Sequence, residues 1–127
     1  MSVAEGLKPV KVMMAGIGYG GPGERLETLV GSCIGIVLWD RQRKQAGLAH
    51  IVLPESCGRE GGAGKFADTA VAALKAGMLA RGSGGPRVVA KIAGGATMFG
   101  ERSDRDVGEK NYQAVRHYLQ QHGFPIV

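Results

Sequence analysis

The sequence predicts an α/β protein of the α+β type, a layered sandwich of mixed β-sheet with about two main helices. Three observations carry this reading. Short apolar runs recur at strand length, at 34–39, 46–53 and 87–93, while two longer segments, 65–80 and 108–122, repeat apolar residues at helical spacing. Strands and helices also follow one another without the strict alternation of a parallel sheet, which favours a mixed sheet layered with helices. The 127 residues fit a single domain, 1–127, large enough to bury a core without metal or disulfide staples.

In chain order, residues 10–15 read as a first strand. The stretch Gly16-Ile-Gly-Tyr-Gly-Gly-Pro-Gly23 follows as a loop, because glycine disfavours regular structure. Residues 34–39 and 46–53 form two strands joined by the polar Asp40-Arg-Gln-Arg-Lys-Gln45, a β-hairpin ending at Leu53-Pro54. A turn centred between Arg41 and Gln42 sets Cys33 directly opposite His50, with Cβ atoms about 4.5 to 5.5 Å apart. A slip of one residue would send the two to opposite faces.

Residues 55–64 make a polar, glycine-rich loop containing Cys57. The helix at 65–80 then carries Ala67, Ala70, Val71, Leu74 and Met78 at core spacing, with Asp68 and Thr69 as first-turn and capping residues and Gly82 as its stop. A strand at 87–93 ends at Gly94-Gly95, before Ala96-Thr-Met-Phe99 and a charged loop at 100–107. The second helix, from about Gly108 to His122, places Tyr112, Val115, Leu119 and His122 on one face, with Gly123 as its stop. Phe124-Pro-Ile-Val127 reads as the approach to a further strand.

Composition narrows the function. A hydrophobic fraction of 44% with 21% charged residues is that of a globular protein, and no apolar run reaches the length needed to span a bilayer. The N-terminus lacks the pattern of a secretion signal, which places the protein in the cytoplasm with Cys33 and Cys57 as free thiols. The net charge of +5 is scattered apart from Arg41, Arg43 and Lys44, a solvated hairpin tip, and 6% aromatics give no stacking pattern for nucleic acid. Gly16-Ile-Gly-Tyr-Gly-Gly21 matches a dinucleotide fingerprint in letters only, because Pro22-Gly23 intervene where the crossover helix must open.

The chemistry gathers around Cys33. A thiol and an imidazole brought together are a nucleophile and its base. Gly31 and Ser32 allow a sharp bend whose backbone N–H groups stabilise a thiolate and hold an oxyanion, and Gly35 gives a substrate close backbone access. Cys57, in its Ser56-Cys57-Gly58 context, is the rival nucleophile. Thr28 is the candidate third group, fixing the tautomer and angle of His50, with Ser32 as the alternative. His117 and His122 lie on the last helix away from any nucleophile, and no Cys/His spacing fits a zinc site.

Four segments in order, Thr28-Leu-Val-Gly-Ser-Cys33, Ala49-His50-Ile-Val-Leu-Pro54, Lys65-Phe-Ala-Asp-Thr-Ala70 and Lys91-Ile-Ala-Gly-Gly-Ala-Thr-Met-Phe99, resemble the chemoreceptor glutamine deamidase family, CheD. Gly108-Glu-Lys-Asn111 and His122-Gly-Phe-Pro-Ile-Val127 extend the resemblance over roughly residues 10 to 127. It implies a cysteine hydrolase that converts glutamines of methyl-accepting chemotaxis receptors to glutamates, with a Cys, His, Thr triad carried onto Cys33, His50 and Thr28. Some family members hold the threonine one residue further from the cysteine, at the position of Glu27. The resemblance also implies a fold like that of deamidating bacterial toxins, no metal or organic cofactor, and a CheC-type phosphatase as partner. The chain stops where the family usually adds a glycine-rich segment and further strands. Two other readings use the same residues: a non-catalytic module regulating such a phosphatase, and a methylesterase or amidase of another substrate.

Overall fold

A computed structural model describes residues 6–95 and 107–127. The expected turn from Gly95 into Ala96-Thr-Met-Phe99 and the charged loop at 100–107 therefore lie almost wholly outside the described residues. Six strands and two α-helices follow in the order β1 (Lys8–Lys11), β2 (Ile17–Gly20), β3 (Glu24–Glu27), β4 (Ile34–Asp40), β5 (Gln45–Ile51), α1 (Ala67–Ala80), β6 (Val88–Gly94) and α2 (Val107–Gln121). The main sheet has the order β2-β5-β4-β6 and is antiparallel throughout. Parallel pairing enters through the separate β1–β3 ribbon and the bridges from Leu53 to Phe66 and from Ala90 to Ile126. The architecture is the α+β layering the sequence predicts: ribbon, main sheet, helices.

Alternation along the central strands divides the sheet. Ile34, Ile36 and Leu38 of β4 and Ala49 and Ile51 of β5 are fully buried in one core cluster with Ala67, Ala70, Val71, Leu74 and Met78 of α1 and Val115 and Leu119 of α2. Both helices stop at left-handed glycines. Gly82 and Gly123 have φ of +86° and +79°, and Ser83 N–H reaches back to the Met78 carbonyl as Phe124 N–H does to Leu119. Val127 N–H donates to the Ala90 carbonyl, so the C-terminal segment does run alongside β6.

Four expectations change. The glycine-rich segment is not all loop, because Ile17–Gly20 forms β2 on the edge of the main sheet. Its glycines serve close packing: a Cβ on Gly18 would sit 2.8 Å from Val12 Cγ2, while the alternate residue Tyr19 turns to the helix side and donates its hydroxyl proton to the Ala73 carbonyl at 3.2 Å. The first strand lies at Lys8–Lys11 rather than 10–15, and Glu24–Glu27 is a strand that the polar sequence hides. The buried face of α2 is Gly108, Asn111, Val115 and Leu119, with Tyr112 only partly buried.

The hairpin register is the fourth. Gly35, not Cys33, lies opposite His50, and the turn centres between Gln42 and Arg43. The buried Asp40 carboxylate sets this geometry by accepting the Gln42 and Arg43 N–H groups at 3.0 and 3.3 Å, and Lys44 closes the loop at φ +53°. The shift is two residues, so parity is kept: alternation continued one residue past the end of β4 at Ile34 assigns Cys33 to the His50 face, diagonal to the imidazole rather than opposite it.

Candidate active site

His50 is held from both its backbone and its ring. Its N–H donates to the Gly16 carbonyl at 3.0 Å and its carbonyl accepts from Ala15 N–H at 2.9 Å. Ala15 adopts the left-handed conformation at φ +64°, a strained setting for a residue with a Cβ, and Gly64 leaves room for the Ala15 and Gly16 carbonyls, which a Cβ there would meet at 2.7 and 2.9 Å. The loop that carries this strain is hydrogen-bonded to the His50 main chain.

His50 is buried beneath the β1–β3 ribbon, 4% exposed as a residue. Thr28, immediately after β3, places Oγ1 2.8 Å from His50 Nδ1 and donates its one hydroxyl proton to the Val12 carbonyl at 2.7 Å. With that proton committed, Oγ1 is an acceptor, so Nδ1 carries the ring proton and Nε2 presents a lone pair. Nε2 has no hydrogen-bond partner among the described residues. Burial also lowers the pKa of His50, keeping the imidazole neutral.

Cys33 sits half-buried in the bend before β4, unpaired, and is not hydrogen-bonded to His50. Burial pushes its thiol above the ordinary value, so the bend does not lower the thiol pKa as its glycine and serine lead one to expect. Burial thus favours the neutral form of both the Cys33 thiol and the His50 imidazole.

The remaining candidates separate. Gly35 belongs to a strand flanked on both sides, so its N–H serves the sheet, and its missing Cβ faces Thr28 Cγ2 at 3.6 Å and Leu48 Cδ1 at 3.7 Å. Gly31 is exposed in the bend, and Ser32 presents its carbonyl to α2 rather than its hydroxyl to His50. Cys57 is exposed at φ +48° in a loop tied back by Ser56, whose N–H and hydroxyl donate to Asp68 at 3.1 and 2.8 Å. His117 packs edge-on against Tyr118 on the outer face of α2, and His122 sits at the end of that helix. No group of three or more His, Cys, Asp or Glu side chains among the described residues could hold a metal ion.

A groove of about 840 Å³ opens beside the ring, lined by Lys11, Val12, Met13, Met14, Leu26, Glu27, Thr28, Leu29 and His50. Met13, Met14 and Leu29 stand on its rim at 73%, 65% and 92% exposure, apolar surface that alternation alone does not reveal. Sequence reasoning also passes over Asn111. This fully buried side chain donates from Nδ2 to the Ser32 carbonyl at 3.2 Å and the Val52 carbonyl at 3.0 Å, joining the cysteine bend to the end of the histidine strand. Its polarity in a helix reads as surface; the signals for it are its place at core spacing with Val115 and Leu119 and in the segment Gly108-Glu-Lys-Asn111.

No helix among the described residues is long and apolar enough to cross a membrane. A family model described as CheD chemotactic sensory transduction matches residues 52–127. A probable chemoreceptor glutamine deamidase CheD of Methanococcus vannielii is 45% identical over 121 residues, covering 92% of this chain and 77% of the relative. A second of that description from Methanococcus maripaludis is 41% identical over 119 residues, with the same coverage. The chemoreceptor glutamine deamidase CheD of Halalkalibacterium halodurans is 39% identical over 125 residues, 93% of this chain and 77% of the relative. The relatives extend across the bend, the hairpin and both helices, where the family model covers only the chain beyond His50, and on both grounds this chain belongs to the CheD family.

Proposed function

We propose that this protein is a cysteine-dependent protein-glutamine deamidase of chemotaxis, converting glutamine side chains of methyl-accepting receptors to glutamate with release of ammonia. The observation that carries the reading is the Thr28–His50 hydrogen bond, which leaves Nε2 as a bare base on the face where Cys33 enters the sheet. Cys33 is the nucleophile, His50 the base and acid, and Thr28 the group that orients His50.

The chemistry starts from a neutral pair. As Cys33 Sγ attacks the amide carbonyl, His50 Nε2 takes the thiol proton and a carbon–sulfur bond forms. The imidazolium is stabilised through Nδ1 by Thr28 Oγ1, then gives its proton to the departing nitrogen, and ammonia leaves a thioester. Water, deprotonated by the same Nε2, attacks the thioester, releasing glutamate and restoring the thiol. Thiol, imidazole and water complete the cycle. The rim of Met13, Met14 and Leu29 gives the substrate protein an apolar seat beside the base. The reading includes a cytoplasmic setting, where Cys33 and Cys57 stay reduced, and a CheC-type phosphatase as partner; both rest on the family resemblance.

Incubation with receptor cytoplasmic fragments tests it by mass spectrometry. Conversion of particular glutamines to glutamates by the wild type and none by Cys33→Ala is expected. Identical spectra from the two proteins would reject the deamidase reading, and would favour a binding module if a phosphatase is still bound. Loss of activity in Cys57→Ala with Cys33→Ala active would move the nucleophile.

A further inference from the structure

We propose that Asn111 is a positioning residue for this chemistry: its amide clamps the Ser32 carbonyl and so aims the backbone N–H of Cys33 at the oxyanion of the tetrahedral intermediate. The inference rests on the reading of Cys33 as nucleophile. Burying an asparagine in an apolar core is costly unless its polar atoms are bonded. Asn111 is fully buried, yet its Oδ1 has no partner among the described residues, while Nδ2 makes both of its bonds to carbonyls of the site. What the residue supplies is a pair of donors.

Those donors act where the β-ladder ends. The last β4–β5 pair on this side is Ile34 with Ile51, and the next residues along, Ser32–Cys33 and Val52, are held together by Asn111 instead. The Ser32 carbonyl and the Cys33 N–H belong to one peptide unit. That unit is trans, and in a trans unit the two groups point in opposite directions. With the carbonyl drawn toward Asn111, the Cys33 N–H points away from that side chain. It donates to no backbone or side-chain acceptor among the described residues.

The following carbonyl is fixed as well. Cys33 O accepts from Gly95 N–H at 2.9 Å, and Gly94, at φ +99°, lies so close that a Cβ there would collide with that oxygen. A nucleophile whose backbone is held on both sides presents its N–H without reorganising during the reaction, which is the source of oxyanion stabilisation.

The test compares two reactions of Cys33 that need no receptor. Acylation by p-nitrophenyl acetate passes through a tetrahedral oxyanion: sulfur bonds to the acetyl carbon, p-nitrophenolate leaves, and the thiol proton goes to His50. Alkylation by iodoacetamide is a displacement with no oxyanion. Both are read on the Cys33-containing peptide by mass spectrometry, which separates labelling of Cys57. Asn111→Leu should slow acylation about tenfold or more while alkylation changes by less than about threefold. Equal slowing of both reactions, or unchanged acylation, overturns the inference. Should the leucine variant fail to fold, Asn111→Ser, too short to reach both carbonyls, is held to the same two outcomes. A wild-type protein that acylates in this Asn111-dependent way yet leaves receptor fragments unmodified would reject the substrate and retain the clamp.

Discussion

The two faces of the main sheet are made from alternate residues of the same strands. Toward the helices, Ile34, Ile36, Leu38, Ala49 and Ile51 form a continuous apolar wall against α1 and α2. Toward the β1–β3 ribbon, the same strands present Gly35, Leu48 and His50, and β2 presents Gly18, which lets Val12 approach. The helix face gains its stability from area removed from water, and the ribbon face uses thin cover and small residues to hold one imidazole in one orientation. Stability and chemistry are therefore assigned to opposite sides, and substitutions should separate them.

The largest expected effect is on the ribbon face. His50→Ala should lower the deamidation rate by about a thousandfold, the scale of losing a positioned general base, while thermal unfolding moves less than for a core deletion, because loss of the Thr28 hydrogen bond is offset by removal of a buried ring nitrogen with no partner. A large fall in melting temperature would show that the imidazole is a structural member and weaken the division. The opposite signature belongs to Leu74, fully buried and packed over Gly47, whose added Cβ would stand 3.0 Å from Leu74 Cδ2. Leu74→Ala should cost about 2 to 5 kcal/mol in denaturant unfolding, with the rate per folded molecule kept within a small factor.

How much of each face can be read from the sequence obeys the same division. Helical periodicity names Ala67, Ala70, Val71, Leu74 and Met78, and all five are buried. The ribbon face is obscured because its logic is close approach. Glycines that read as a loop at 16–23 include a strand, and the mostly polar Glu24–Glu27 is a strand because β1 pairs with it and its one apolar side chain, Leu26, packs over Gly18 and Gly20 of β2. The register differs by two residues because one buried carboxylate, Asp40, organises the turn through backbone N–H groups that no pattern of apolar residues encodes. Asn111 is hidden for the same reason: its partners are main-chain carbonyls, 79 and 59 residues away in the chain.

A smaller effect sharpens the role of Thr28. Thr28→Val keeps the shape but removes both the acceptor on Nδ1 and the donor to the Val12 carbonyl. The rate should fall about ten- to hundredfold, with Thr28→Ser restoring most of it, since a buried hydrogen bond to a group that becomes charged is worth roughly 1.5 to 3 kcal/mol. An unchanged rate in the valine variant would mean that the ribbon covers His50 without orienting it.

The smallest effect is the pH dependence that His50 gives to stability. Burial lowers the pKa of folded His50, whereas the unfolded imidazole titrates at about 6.5. Between those two values the unfolded chain binds a proton that the folded protein does not, so stability decreases as pH falls through that window. Above about pH 7 both states are neutral at this position, and the contribution is complete. Below the folded value both are protonated, and no further loss comes from this group. Other groups titrate in the same range, so the measurement is the difference between wild type and His50→Gln in denaturant unfolding across pH. That difference should be flat above about pH 7 and turn against the wild type as the solution is acidified, whereas Leu74→Ala should shift the whole curve by a constant. A pH-independent difference for His50→Gln would show that the ribbon leaves the imidazole as well hydrated as in the unfolded chain. The acid limb of deamidation is tied to the same ring and should fall below the ordinary imidazole range, because Nε2 acts as a base only while it is unprotonated.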